Sequence, residues 1–240
     1  MLFRLIFSFF ILSGVSFAEK KKMESKEELY LHLKNAFKNP IDKPDLPRVL
    51  LIGDSISIGY TVPVRKLLEG KVNVHRIPTN GRYYAYGAQN IKKWLGKKKW
   101  DVIHFNWGLW DLCYRNPKSK TQGNRDKVNG KLTATPEEYK KSMEEIVAIL
   151  KNTGAKLIWC ETTPVPEGEA GRKVGDSLKY NAVANEIMKA NGIQINQLHS
   201  HAVKKLPEIA KKPGDVHFTS KGSEYLAEKV AEEINKALQK

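Results

Sequence analysis

The tripeptide Gly53-Asp54-Ser55 places a potential nucleophile where a serine can react. It ends a short apolar run over residues 48–53 and precedes a segment that can open a helix. A hydroxyl between a strand's carboxyl end and a helix's amino end lies near backbone N–H groups and a helix dipole that stabilise developing negative charge. The position therefore predicts that Ser55 is a nucleophile. A second copy, Gly175-Asp176-Ser177, follows no strand and is interpreted as the N-cap of a helix beginning near Leu178.

A serine nucleophile needs a base within hydrogen-bond reach, and the base needs an orienting group. His217 lies in a non-periodic stretch directly before the last amphipathic helix, two residues from Asp215. We therefore predict His217 as the general base and Asp215 as its partner. Two alternatives remain open at this point: a Ser-His dyad, or an Asp215 that only caps the following helix at Thr219. The other five histidines fall in predicted helices or strands: His32, His75, His104, His199 and His201.

Apolar runs alternate with helical stripes along the chain, which predicts the elements that must position these residues. Strands are expected at 48–53, 72–77, 101–107, 155–160 and 193–196. The clearest helix begins with the capping box Thr135-Pro136-Glu137-Glu138, and the last begins near Thr219 or Ser220. This alternation favours a mostly parallel sheet with helices on both faces, whose ligands bind beyond the carboxyl ends of the strands.

The ordered set of motifs resembles the SGNH/GDSL hydrolase family, in a bacterial exported branch, from about residue 47 to residue 240. It consists of Gly53-Asp54-Ser55 after the first strand, Gly81 in the next strand–helix loop, a turn with Gly108 that ends the third strand, and the Asp215/His217 pair before the last helix. The resemblance implies a three-layer α/β/α flavodoxin-like fold with about five strands. It also implies a metal-independent and cofactor-independent hydrolase of ester or acyl groups. In that family the N–H groups of the residues matching Ser55 and Gly81 belong to the oxyanion hole.

The sequence departs from the family pattern at two positions. The usual Gly-x-Asn-Asp block is Gly108-Leu109-Trp110-Asp111, so the oxyanion asparagine is replaced by tryptophan. We expect Asn106 to supply the missing donor, with an Asn bonded to backbone as the alternative. The usual Asp-x-x-His spacing has Gly214 in place of the acid, which leaves Asp215 one residue closer to the histidine. A triad depends on geometry rather than on a fixed spacing, so Asp215 remains the expected acid.

Aromatic and basic side chains near the predicted strand ends are candidates for substrate binding. Trp107 and Trp110 could present ring faces to a sugar, with core packing as the alternative, and Arg82 could hold an acidic substrate group. Two polar segments, residues 114–134 and 164–177, follow strands and should overhang the same end of the sheet, as either functional or disordered loops.

The N-terminus has the pattern of an export signal. A basic residue, an apolar block and Ser16-Phe17-Ala18 predict a signal peptide over residues 1–18, cleaved to leave a periplasmic or secreted protein. The alternative is a membrane anchor, but the apolar block ends near residue 18 and is short for a spanning helix, so we expect no permanent anchor. Residues 19–46 are expected to hold a helix over 25–37 and a Pro-rich lead-in, and residues 47–240 the hydrolase domain. Cys113 and Cys160 are interpreted as two buried thiols, although a disulfide between them stays open.

The formal charge of +15 favours anionic partners, but the lysines are dispersed and form no nucleic-acid motif. We therefore expect no nucleic acid and no metal, and an ester substrate such as an acylated or anionic polysaccharide. The leading hypothesis is a Ser-His-Asp esterase acting on O-acyl groups of a carbohydrate. The alternatives are a lipid esterase or acyltransferase with the same triad, and a non-catalytic binding module with an eroded site.

Overall fold

The computed structural model describes Glu27 and residues 30–239 of the chain. The predicted signal peptide, residues 1–18, lies outside the described residues. Residues 30–37 are helical (α1), in agreement with the predicted N-terminal helix. None of the helices in the described part of the chain has the length and apolar character needed to cross a membrane.

Five parallel strands form the central sheet, as the apolar runs predicted. The strands are β1 (Arg48–Ile52), β2 (Asn73–Arg76), β3 (Val102–Phe105), β6 (Lys156–Cys160) and β7 (Gln194–Asn196). Their order in the sheet is β2-β1-β3-β6-β7, and every neighbouring pair is parallel. Two short strands, β4 (Tyr114–Arg115) and β5 (Lys131–Leu132), form a separate antiparallel pair. This strand order is that of flavodoxin-like folds. Because helices cover both faces of such a sheet, its central strands are mostly apolar.

Helices cover both faces of the sheet. They are α2 (Ser55–Leu67), α3 (Tyr84–Leu95), α4 (Pro136–Lys151), α5 (Asp176–Ala190), α6 (Leu198–Val203), α7 (Leu206–Ile209) and α8 (Ser220–Gln239). Helix α2 packs against α8, whereas α3 packs on α4 and α4 on α5. The predicted capping box is present, because the Thr135 side chain accepts from the Glu138 N–H and the Glu138 carboxylate accepts from the Thr135 N–H. The three-layer α/β/α architecture is therefore confirmed.

The core lies between the sheet and these helices. Strand residues such as Val49, Ile103 and Ile158 are fully buried, as are the aromatic rings of Phe105 and Trp159, which contact each other. Cys113 and Cys160 are both buried free thiols, so the disulfide left open by the sequence does not form.

The fold leaves little room between α3 and the end of β3. A Cβ atom placed on Gly87 would lie 2.5 Å from the ring of Trp107, itself 1% exposed. We expect Gly87→Ala to destabilise the protein by about 1–3 kcal/mol, because the buried indole must move. Urea unfolding of the purified protein measures this change.

Gly59→Ala is the matched control, because Gly59 is also inside a helix. Its Cβ would meet only the Ser223 hydroxyl, at 3.0 Å, and that short side chain can rotate. The better helix propensity of alanine should make this variant at least as stable as wild type. Equal unfolding free energies for the two variants would contradict the tight contact at Gly87.

Candidate active site

The nucleophile turn joins β1 to α2, and Ser55 is the first residue of that helix. Asp54 is the N-cap, and its carboxylate accepts the Ile56 N–H at 2.9 Å. The Asp54 side chain is buried, and burial raises its pKa. Asp54 is thus a structural hydrogen-bond acceptor that fixes the start of α2, and Ser55 is the residue of the motif left partly exposed.

Three side chains meet at the carboxyl ends of the strands. The Ser55 Oγ atom lies 2.9 Å from His217 Nε2, although the two residues are 162 positions apart. The His217 Nδ1 atom lies 2.6 Å from the Asp215 carboxylate. A carboxylate that accepts from Nδ1–H selects the tautomer whose Nε2 lone pair faces the serine hydroxyl. This arrangement can remove a proton from Ser55 as the hydroxyl attacks an acyl carbon.

Asp215 is held in its ionised form by the same contact. Burial opposes ionisation of this carboxyl, but hydrogen bonds from the His217 side chain and from the His217 N–H, at 3.1 Å, outweigh it and lower the pKa. The negative charge that orients the imidazole is therefore present throughout the neutral range.

A narrow loop between α7 and α8 brings Asp215 beside His217. An isolated antiparallel bridge joins Ala210 and Phe218, and the Lys211 N–H donates to the His217 carbonyl at 2.9 Å. Gly214 has φ of 70°, and a Cβ atom there would lie 2.8 Å from the Gly168 carbonyl oxygen. An aspartate at position 214, the usual family position, would be strained and would collide with this backbone. The close approach explains why the acid stands at position 215.

Two of the predicted oxyanion donors are engaged inside the protein. The Gly81 N–H donates to the Gly53 carbonyl at 2.9 Å. The Asn106 amide donates to the Cys160 carbonyl at 2.7 Å and to the Thr162 hydroxyl at 3.3 Å, which uses both of its N–H bonds. The assignment of Gly81 and Asn106 as oxyanion donors is therefore wrong for this conformation. The Ser55 N–H is differently placed, since the N–H of a helix's first residue has no acceptor within the helix.

The three candidate substrate-binding residues differ in how far their side chains are exposed to solvent. Arg82 is exposed, with φ of 50° and its guanidinium over the Tyr86 ring at 4.8 Å. Trp110 is partly exposed, but the Arg115 guanidinium lies over its ring at 4.5 Å. The prediction for Trp107 is wrong, because this side chain is buried and its indole donates to the Gly81 carbonyl at 3.2 Å.

Both polar segments are ordered over the carboxyl end of the sheet, held by an ion cluster that the sequence did not reveal. Glu169 is fully buried and accepts from Arg125 at 2.7 Å and from Arg172 at 2.9 Å. The Arg172 Nε–H also donates to the Leu109 carbonyl at 2.6 Å. The cluster thus joins residues 114–134, residues 164–177 and the turn after β3. Charged residues in a Gly-rich stretch give no periodic signal, so the sequence does not show which of them pair.

Asp111, in the turn after β3, is a fully buried acid whose structural role the sequence does not indicate. Its carboxylate accepts the Tyr84 N–H at 2.8 Å, and burial raises its pKa to about 8. Asp111 therefore connects the turn after β3 to the start of α3.

The second Gly-Asp-Ser copy also has a histidine beside it. Ser177 Oγ lies 3.2 Å from His199 Nε2, but Ser177 is 1% exposed and lies inside α5, which begins at Asp176 after Gly175. A substrate cannot reach this hydroxyl, so the pair is structural. Among the residues that the structure describes, no group of three or more His, Cys, Asp or Glu side chains is arranged to hold a metal ion.

Comparisons with known proteins agree with this geometry at the level of fold. No protein-family model matches the chain, and no curated protein matches it by sequence. Solved structures do match. A lipase/acylhydrolase from Enterococcus faecalis is 17% identical with a TM-score of 0.65, covering 80% of this chain and 96% of its own. The acetylxylan esterase Axe2 from Geobacillus stearothermophilus is 16% identical with a TM-score of 0.63, covering 78% and 94%.

A candidate SGNH hydrolase from Slackia heliotrinireducens is 18% identical, with a TM-score of 0.56 over 79% of this chain and all of its own. The chain therefore has the fold of the SGNH/GDSL hydrolases. The fold implied by the sequence resemblance is confirmed.

The close approach of Gly214 to Gly168 generates a prediction. We expect Gly214→Asp, which restores the family spacing, to destabilise the protein by about 1–3 kcal/mol because the residue must keep a left-handed conformation. Gly214→Ala should cost a similar amount, since the Cβ atom causes the strain. Chemical denaturation measures both variants.

The control is Lys212→Ala in the same loop, where the side chain is exposed. This surface change should stay within about 0.5 kcal/mol of wild type. A Gly214→Asp protein as stable as the control would show that the loop is free to place its acid at either position.

Proposed function

We propose that the protein is a serine hydrolase that cleaves ester bonds. The observation that supports this most strongly is the continuous hydrogen-bonded chain from Ser55 through His217 to Asp215. It lies at the carboxyl edge of a parallel sheet, where α/β proteins bind their ligands. A non-catalytic module would have no need to keep all three groups in this register.

In the proposed reaction the Ser55 hydroxyl attacks the acyl carbon while His217 Nε2 takes its proton. The C–O bond to the alcohol then breaks, and His217 returns the proton to the leaving oxygen. A water molecule, deprotonated by His217, attacks the acyl-enzyme and releases the acid, with the proton going back to Ser55. Asp215 stays ionised and stabilises the imidazolium formed in each half of the reaction.

The tetrahedral oxyanion is stabilised by the amino end of α2. The Ser55 N–H and the positive end of the helix dipole both act on the oxygen that develops charge. Because Gly81 and Asn106 already have internal partners, this site offers fewer fixed donors than the family pattern implies. Removing one such donor costs about 10²–10³-fold in rate in a serine protease. We therefore expect the protein to have a modest turnover number on esters.

The proposed mechanism is tested with p-nitrophenyl acetate. Ser55→Ala should lose activity, and Asp215→Asn should lower kcat by about 10²–10⁴-fold, because the amide no longer selects the required imidazole tautomer. Ser177→Ala is the matched control, since this serine belongs to the same tripeptide but is buried in α5. Full activity in Ser55→Ala would sink the mechanism, as would equal losses in the Ser55 and Ser177 variants.

For the substrate, we propose an O-acyl group on a carbohydrate, in an anionic polymer. Four segments surround the site: residues 77–83, 106–135, 161–175 and 210–219. Their exposed cations are Arg82, Lys118, Lys120, Lys131, Lys173, Lys211 and Lys212, against one exposed acid, Glu167. Such a rim raises the local concentration of anionic substrates. Acetylxylan esterases among the similar structures, and the export signal expected at residues 1–18, support a polysaccharide outside the cytoplasm.

A comparison of acetylated polysaccharides tests the substrate class. Acetate release from an acetylated uronic-acid polymer should exceed release from neutral acetylxylan at low salt, and the advantage should shrink towards 1 M salt as screening shortens the electrostatic range to about 3 Å. Lys118→Glu/Lys120→Glu should reduce the advantage without changing p-nitrophenyl acetate turnover. A preference for long-chain nitrophenyl esters over both polymers would instead favour a lipid esterase.

A further inference from the structure

The turn that carries Ser55 accepts hydrogen bonds from a buried guanidinium. Arg76, the last residue of β2, is 1% exposed. Its Nη2 group donates to the Gly53 carbonyl at 3.3 Å and to the Ser57 hydroxyl at 2.8 Å. Its Nη1 group donates to the Ile77 carbonyl at 3.0 Å and to the Thr79 carbonyl at 2.9 Å. One side chain therefore connects the turn that carries Ser55 to the loop that leads to Gly81.

This guanidinium is held without a direct carboxylate partner among the described residues. Burial lowers the pKa of Arg76 to about 10, so it is still charged at neutral pH. Removing a charge from water is costly, and a buried cation whose partners are carbonyl and hydroxyl oxygens is poor evidence of a stabilising role. The location of those oxygens, on both sides of Ser55, indicates that Arg76 acts by fixing the local geometry.

The Gly53 carbonyl is the point where the two loops meet. It accepts from Arg76 and also from the Gly81 N–H, at 2.9 Å. Gly53 directly precedes Asp54 and Ser55, so a rotation of its peptide would move the nucleophile. The second acceptor of Arg76 Nη2 is the Ser57 hydroxyl. This hydroxyl donates to the Asp54 carbonyl at 2.8 Å and thereby fixes the first turn of α2. Both sides of Ser55 thus depend on the same guanidinium.

We propose that Arg76 is a positioning residue for the proposed esterase reaction: it fixes the Gly53 peptide and the first turn of α2 so that the Ser55 hydroxyl stays in line with His217. Arg76 is not in contact with the serine hydroxyl and takes no proton. Its planar fork of N–H groups serves four acceptors in two loops, which a lysine ammonium cannot match with the same geometry. This inference rests on the proposed function of Ser55.

Arg65 offers a matched control in the same protein. It is less buried than Arg76, but it too donates to backbone carbonyls, those of Val74, Asn35 and Lys38, and to the Asn39 side chain. Its contacts join α2 to β2 and to the end of α1, and none reaches the turn that carries Ser55. Arg65→Met therefore removes a comparable set of hydrogen bonds without touching the Gly53 peptide.

The experiment compares kcat, KM and thermal midpoint for Arg76→Met, Arg76→Lys and Arg65→Met with p-nitrophenyl acetate. It also measures the rate at which a fluorophosphonate labels Ser55. We expect Arg76→Met to lower kcat and the labelling rate by about 10–100-fold with KM nearly unchanged, since a displacement of about 1 Å can cost 10²-fold. Arg76→Lys should recover part of this loss. Arg65→Met should lower the thermal midpoint but leave kcat within about twofold.

An Arg76→Met protein with wild-type kcat and labelling rate would overturn the proposal, and so would equal losses of kcat in the Arg76 and Arg65 variants. If Arg76→Met does not fold, the variants Arg76→Lys and Ser57→Ala test the positioning role instead. Reduced kcat at an unchanged thermal midpoint supports the positioning role, and wild-type kcat in both overturns it. A different result would contradict the proposed function itself: a wild-type protein that does not hydrolyse esters and is not labelled at Ser55.

Discussion

The hydrogen bond between Ser55 and His217 joins two residues that are 162 positions apart, and the architecture of the domain can be understood from it. Ser55 begins α2, and His217 lies three residues before the start of α8. These two helices pack against each other on one face of the sheet. Buried side chains such as Ile56 on α2 and Leu226 on α8 belong to the same core, so burial of apolar surface stabilises the register in which Ser55 and His217 meet.

The acid is positioned by a second constraint, the approach of two loops. Gly214 and Gly168 come so close that a side chain at position 214 would touch the opposite backbone. The loop after β6 is in turn held by Glu169, through its contacts with Arg125 and Arg172. The position of Asp215 beside His217 therefore depends on the packing of a loop that contributes no group to the triad. This dependence explains how the spacing of the acid can differ from the family pattern while its contact with the histidine is kept.

The regular elements and the contact between Ser55 and His217 could be predicted from the sequence, because both leave local signals. Apolar runs of strand length predicted all five sheet strands, and the capping residues at Thr135 predicted the start of α4. Gly53-Asp54-Ser55 was recognisable because it follows a strand. The donors were not predictable in the same way. Gly81 and Asn106 have the right chemical groups, but a sequence does not show that nearby carbonyls already accept from them. Trp107 was misassigned for a similar reason, since its burial depends on how closely α3 packs at Gly87, which the sequence does not show.

The residues that the sequence indicated least are buried arginines that donate to backbone carbonyls in addition to side chains. Arg76 and Arg172 are both almost fully buried, and each donates to carbonyl oxygens of irregular loops at the carboxyl end of the sheet. Loops leave such oxygens without partners from regular secondary structure, and a buried carbonyl without a hydrogen bond is costly. A guanidinium can bond several of them at once and so holds loops from different parts of the chain in one arrangement. Its desolvation weakens the net stabilisation, so the gain is geometric: the loops that carry Ser55 and Asp215 are kept rigid enough for the side chains to stay in contact.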